Sequence, residues 1–231
     1  MGISDIFRTG PNLLDVRAKY KAKLEARRQN FQEIKRKARL LVIEDIKEQF
    51  PFKFFEDEGY NIRHWPHVNS MTPLETGEYD VIVLDIAGVA PLYDSKLDGF
   101  AVLENIKKKN PSQIVIAFSG QSYDAEKNMF FRQADDVISK PIDAHRAKQA
   151  IDDLLLAQLN FDRHWEIIDP MLRKAGLSEK DILRTQAECL AAVVGEANVD
   201  IIKVLSPVVK NIEMAAKIGT LLHTFYRLFQ Y

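Results

Sequence analysis

A single cysteine, Cys189, rules out an internal disulfide, and its apolar neighbours in "ECLAAVVG" favour packing over nucleophilic use. Scarcity of cysteine fits a reducing compartment. No charge-free stretch approaches the roughly 18 apolar residues a membrane span needs, and the N-terminus lacks the apolar core of a signal peptide. "MGISDI" has the Gly2 of a myristoylation site but Ile6 where Ser or Thr is wanted. The expected location is therefore the cytoplasm. No glycine-rich phosphate loop or dinucleotide fingerprint occurs, which argues against a nucleotide-dependent enzyme. His64 and His67 in "RHWPH" lack the further ligands that would complete a zinc site and read as loop residues. Internal repeats and low-complexity tracts are absent as well.

The net charge of −1 conceals an asymmetry. Residues 11 to 39 hold Arg17, Lys19, Lys21, Lys23, Arg27, Arg28, Lys35, Arg36, Lys37 and Arg39 against Asp15, Glu25 and Glu33. A basic arm suits nucleic acid or anionic lipid, but little aromatic interleaving supports base stacking, so it reads as a solvated helix face or an arm on an acidic body. Within it Leu13, Val16, Tyr20, Leu24, Phe31 and Ile34 recur at helical spacing, with Arg27 interrupting the stripe. This predicts one long amphipathic helix from Leu13 to Ala38, suited to a coiled coil or to packing on the C-terminal region.

Five apolar runs then alternate with helix-like segments. "RLLVIE", "YNIRHW", "YDVIVLD", "QIVIAFS" and "DVIS" are the expected strands. Between them fall helices from about Pro51 to Glu58, around "SMTPLETG", at "DGFAVLENIKKKN" with Asp98 as its cap, and near "YDAEKNMFFRQA". Pro141 is expected to open a helix to about Leu159. Strands without alternation, separated by helices, indicate an α/β fold with a parallel sheet covered on both faces. After residue 159 only helices are predicted: one capped by Ser178 and running to about Gly195, a second from near Asn198, and a third marked by Ser206 and Pro207 that reaches towards Phe229.

Polar residues end these strands: Glu44 and Asp45, Asp85, Ser119 and Lys140. In an open parallel sheet the carboxyl ends meet at one edge, where a crevice receives ligand. Three clustered carboxylates repel by roughly 4 kcal/mol per pair at an effective dielectric near 20, so they call for a cation or a proton. Oxygen-only donors indicate a hard ion, Mg2+, and a carboxylate nucleophile with metal, lysine and hydroxyl makes a phosphoryl-transfer site. Asp85 lacks a second Asp two positions on, unlike aspartate-nucleophile phosphatases.

Over residues 39 to 158 these residues resemble the receiver domain of two-component response regulators. The resemblance implies a flavodoxin-like, doubly wound five-stranded sheet of order 2-1-3-4-5. It implies that Asp85 accepts a phosphoryl group from a histidine kinase or phosphotransfer protein. Glu44, Asp45, Asp85 and the backbone carbonyl of Ala87 would hold Mg2+, while Ser119 and Lys140 would be drawn to the product. "DG" at Asp98 and Gly99 and "KP" at Lys140 and Pro141 match as well. Two features depart from the family. The segment between Asp85 and Asp98 is longer than usual, and Val137 stands where an aromatic residue normally couples the site to the output face. Met129, Phe130 and Phe131 cluster nearby and read chiefly as core.

The expected organisation is an N-terminal helical arm (residues 1–38), a receiver domain (39–158) and an all-helical module (159–231) for protein contacts or self-association. The expected function is a phosphorelay response regulator whose only chemistry is self-phosphorylation and slow loss of the phosphate, not turnover of a small molecule. The alternatives are a DNA-binding transcriptional regulator and a receiver-fold adaptor that is never phosphorylated. The apolar stripe of Ile201, Ile202, Val204, Leu205, Val208, Val209 and Ile212 suits helix burial better than base readout.

Overall fold

The computed structural model describes residues 11–90, 98–120, 131–195 and 211–230, together with Leu205 and Val209. In chain order the helices are α1 (Leu13–Gln29), α2 (Phe31–Lys37), α3 (Phe52–Asp57), α4 (Thr72–Glu75), α5 (Gly99–Lys109), α6 (Ala144–Gln158), α7 (Phe161–Lys174), α8 (Glu179–Val194) and α9 (Ile212–Phe229). The strands are β1 (Arg39–Ile43), β2 (Asn61–Trp65), β3 (Val81–Asp85), β4 (Ile114–Ser119) and β5 (Asp136–Ser139). All pairings are parallel and the order is β2-β1-β3-β4-β5, as predicted.

Every residue of β3 and β4 is buried, which explains runs of Val and Ile with no polar alternation. One face, through Leu40, Val42, Val81, Val83 and Ile116, meets Phe55 of α3 and Ala147, Ile151 and Leu155 of α6. The opposite face, through Leu41, Ile43, Ile82, Leu84 and Val115, meets Leu74 of α4 and Val102, Leu103 and Ile106 of α5. The first of these cores continues without a break into α1, α7, α8 and α9.

Tyr20 fastens the arm to this body. Its ring stacks on Phe229 at 5.3 Å, and its hydroxyl donates to the Leu159 carbonyl and accepts from the Phe161 N–H, both at 2.8 Å. The hydroxyl thereby satisfies backbone groups left over where α6 gives way to α7.

Three local expectations need correction. The predicted helix from Leu13 to Ala38 is two helices, because Asn30 leaves helical geometry (φ −101°, ψ 36°) and its N–H closes off the Ala26 and Arg27 carbonyls. Arg27, which interrupts the apolar stripe, donates from Nε to the Phe229 carbonyl at 3.0 Å, where the end of α9 favours a cation. Pro141 does not open α6. The Lys140–Pro141 peptide is cis, and Asp143 caps the helix by accepting from His145 and Arg146 N–H groups at 2.9 and 3.1 Å. The helix that reaches Phe229 begins at Ile212, not Ser206, because Asn211 Oδ1 accepts from Glu213 and Met214 N–H groups. The helices expected near Asn198 and over most of "YDAEKNMFFRQA" lie outside the described residues. Ser178 does cap α8, accepting from Asp181 N–H at 3.2 Å.

Cys189 is fully buried, and burial pushes its thiol up to about 12, in keeping with packing. Among the described residues no helix is long and apolar enough to cross a membrane.

Candidate functional site

Register aligns the carboxyl ends of the strands. Ile43 lies beside Leu84, Asp85 beside Phe118, and Ser119 beside Ser139. The residues at or just past those positions therefore share one edge: Glu44, Asp45, Asp85, Ser119 and Lys140. Oxygens of Glu44, Asp45 and Asp85 all lie within 4.8 Å of one another. Glu44 and Asp85 are buried and Asp45 is exposed, so the cluster opens to solvent on one side.

Lys140 reaches into it. Its ammonium stands 2.7 Å from Glu44 Oε2 and 2.7 Å from Asp85 Oδ2, with the Phe118 ring 4.6 Å away. Its own N–H donates to the Ser119 carbonyl at 2.9 Å, so β4 and β5 fix where the side chain starts. Ser119 is itself buried at the end of β4. Burial pulls the Lys140 ammonium down, but hydrogen bonds and charge from Asp85 and Glu44 outweigh it and hold Lys140 above its ordinary value. Burial raises the Glu44 carboxyl, and the bonds from Lys140 and the Ile46 N–H offset only part of that.

Backbone groups orient the acids. Asp85 Oδ1 accepts from the Ala87 N–H at 3.1 Å, and Glu44 Oε1 from the Ile46 N–H at 3.1 Å. His64 Nε2 donates to the Glu44 carbonyl at 2.7 Å, so this residue lies in β2, within the expected strand "YNIRHW" and not in a loop, and braces the acidic pair.

Two glycines permit close approach. A Cβ on Gly88 (φ +84°) would sit 2.9 Å from Asp45 Oδ2, and one on Gly99 would sit 2.3 Å from the Asp85 carbonyl oxygen. Between them in the chain, Asp98 departs from expectation. It stands at the N-cap of α5, where its carbonyl accepts from the Ala101 N–H at 3.2 Å, but its side chain bonds to no N–H of that helix. Instead its carboxylate turns back and accepts from the Gly88 N–H and, at 2.6 Å, from the Ala90 N–H. Its backbone, at φ +42° and ψ −121°, is strained for a residue with a side chain, at a cost of about 1–3 kcal/mol. An Asp-Gly pair signals a helix start equally well, so pattern reading had no means of finding this reversal.

Val137 is half-buried on β5, beside a small apolar cluster of Ile86, Phe100, Ala117 and Phe131. The Phe100 and Phe131 rings meet edge to face at 5.2 Å, so Phe131 is core. Met129 and Phe130 lie outside the described residues.

A carboxylate cluster ending a β2-β1-β3-β4-β5 parallel sheet narrows the choice of family, and a family profile decides it: "Response regulator receiver domain" matches residues 40–152. This segment is a response regulator receiver domain. Receiver domains belong to two-component signalling, and the described residues on either side of this one are mainly helical. Similar solved structures include a CheY-like receiver domain from Methanospirillum hungatei JF-1, 23% identical, with 51% of this chain and 93% of that chain aligned and a TM-score of 0.44. The receiver domain of Francisella response regulator 1452 is 24% identical over 53% of this chain and 99% of that one, TM-score 0.44. That of NtrX from Brucella abortus is 28% identical over 50% of this chain and 97% of that one, TM-score 0.42. No curated protein matches the chain.

Among the described residues three carboxylates meet one ammonium here, and every acidic donor is a hard oxygen. That donor set and its unbalanced negative charge fit a divalent cation such as Mg2+ rather than a soft metal.

Proposed function

We propose that the protein is a cytoplasmic phosphorelay response regulator that accepts a phosphoryl group on Asp85 and changes the protein contacts of its helical module in response. The observation that carries this reading is the convergence of Glu44, Asp45 and Asp85 within 4.8 Å, with Lys140 2.7 Å from two of them. Glu44, Asp45, Asp85 and the Ala87 carbonyl would hold Mg2+. Bound there, the ion supplies positive charge against the carboxylates and against phosphoryl oxygens.

The chain's own residues then divide the work. Asp85 is held by Ala87 N–H on one oxygen and Lys140 on the other, and each oxygen keeps a further lone pair. Such a lone pair attacks the phosphorus of a phosphohistidine: the Asp85 O–P bond forms as the P–N bond breaks, and the imidazole departs. Lys140 balances charge on the phosphoryl group, and the Ser119 hydroxyl donates to one of its oxygens. Hydrolysis of the resulting acyl phosphate is the only other chemistry proposed, so the protein is an acceptor and not a metabolic enzyme.

A histidine kinase or phosphotransfer protein is the proposed donor. The proposed output is a protein effector or self-association through residues 159–231. Protein contacts are favoured over DNA because Lys23 and Arg27 of the basic arm are spent on the Val193 and Phe229 carbonyls, at the ends of α8 and α9.

Intact-protein mass after incubation with acetyl phosphate and Mg2+, beside Asp85→Ala and a metal-free control, tests this. One added phosphoryl group, only in the unmodified protein with Mg2+, is expected. No gain in a folded protein would leave the reading of a receiver-fold adaptor, for which Val137 is the motive.

A further inference from the structure

We propose that Asp98 is a positioning residue for the cation side of the site: its carboxylate holds the turn after β3 against Asp45 and Asp85 and so sets the affinity for a divalent ion. The inference rests on the phosphoacceptor reading above and adds to it a residue outside the acidic cluster.

Contacts run without a gap from α5 to the cluster. Gly99 donates to the Ile86 carbonyl at 3.2 Å and packs on the Asp85 carbonyl so closely that a Cβ there would come within 2.3 Å. This fixes the start of α5, and with it Asp98. The Asp98 carboxylate reaches back to the N–H groups of Gly88 and Ala90. Gly88 lies directly against the Asp45 carboxylate, and its neighbour Ala87 donates to Asp85 Oδ1. Removing the Asp98 carboxylate leaves two N–H groups without their acceptor and frees the peptide between Ala87 and Gly88, which carries the carbonyl proposed as a metal ligand. Outer groups that orient metal ligands matter to affinity in just this way.

Backbone geometry separates positioning from mere stability. Asp98 occupies φ +42°, a conformation glycine adopts freely and other residues resist. Asp98→Gly therefore relieves strain while deleting the clamp, so the strain relieved offsets stability lost with the two hydrogen bonds, whereas nothing offsets the loss in metal binding.

Mg2+ titration calorimetry and metal-free melting temperatures on the full chain, for wild type, Asp98→Gly and Asp98→Asn, test this. Asp98→Gly is expected to melt near the wild-type temperature yet bind Mg2+ about 10- to 100-fold more weakly. Asp98→Asn keeps one acceptor oxygen and falls between the two. Wild-type Mg2+ affinity in a folded Asp98→Gly overturns the inference and leaves the phosphoacceptor reading standing. No saturable Mg2+ binding by wild type overturns both. Should Asp98→Gly fail to fold, Asp98→Asn decides alone: unchanged affinity overturns the inference, and weaker binding at an unchanged melting temperature supports it.

Discussion

The two edges of the sheet both bury carboxylates, and they treat them in opposite ways. At the carboxyl edge Glu44, Asp45 and Asp85 cluster, and among the described residues Lys140 is the one ammonium paired there, with Glu44 and Asp85. At the amino edge Asp135 lies between two cations, Lys107 at 2.5 Å and Arg163 at 2.8 Å, and also accepts from the Val115 N–H. Asp80 there pairs with Arg227 and accepts from the Arg39 N–H at 2.6 Å. Arg163 belongs to α7 and Arg227 to α9, so the amino edge is where the helical module grips the receiver fold. A buried acid is thus no mark of a functional site by itself. The mark is a cluster in which acids outnumber the cations among the described residues, while acids with matched cations hold elements together.

Removing one acid from each edge gives the largest expected contrast. Asp80→Ala takes from Arg227 its buried carboxylate and from the Arg39 N–H its acceptor, and is expected to cost about 3–5 kcal/mol in urea unfolding. Asp85→Ala thins a cluster of like charges and is expected to leave metal-free stability unchanged or higher. Equal destabilisation by the two would show that both edges are structural.

Acid should test the helical side next. His164 is fully buried in α7 with Nε2 3.0 Å from the Gln158 carbonyl, against the Phe225 ring, and burial lowers it to about 4. A base whose folded value lies below its unfolded 6.5 binds fewer protons when folded across that interval. Its contribution is therefore complete above pH 6.5 and is lost as pH falls towards 4, by about 3 kcal/mol in all. Denaturant titrations at several pH values should show this slope in wild type and lose it in His164→Gln.

Metal should act only on the other edge. Mg2+ at 100 times its dissociation constant is expected to raise unfolding free energy by about 2.7 kcal/mol in wild type and to give little or none of that in Asp85→Asn. A milder mutant, Arg27→Ala, loses one cation at a helix end, so a loss of about 0.3–1 kcal/mol with unchanged Mg2+ affinity is expected. A changed affinity there would mean that the arm communicates with the site.

Much of this architecture was readable because its signals are local. Buried runs such as "VIVLD" and "IVIAF" cannot sit anywhere but inside a doubly covered sheet, and polar residues at the ends of such runs must meet at its edge. Helix limits were less legible where a long-range contact decides them. Asn30 stops α1 so that α2 can feed β1, and Asn211 rather than Pro207 begins α9.

The sequence by itself thus determined the strands, their parallel pairing and the set of acids, lysine and serine available at one edge, while their order followed from the family resemblance. It could not determine what a charged side chain faces across the molecule. Arg27 looked like a break in a helix stripe and proves to meet the Phe229 carbonyl, 202 residues away. Asp98 looked like the cap of the helix after it and turns instead to the loop before it. Only the tertiary structure settles such choices, because a hydrogen bond is decided by which partner packing brings within about 3 Å, and periodicity carries no record of that partner.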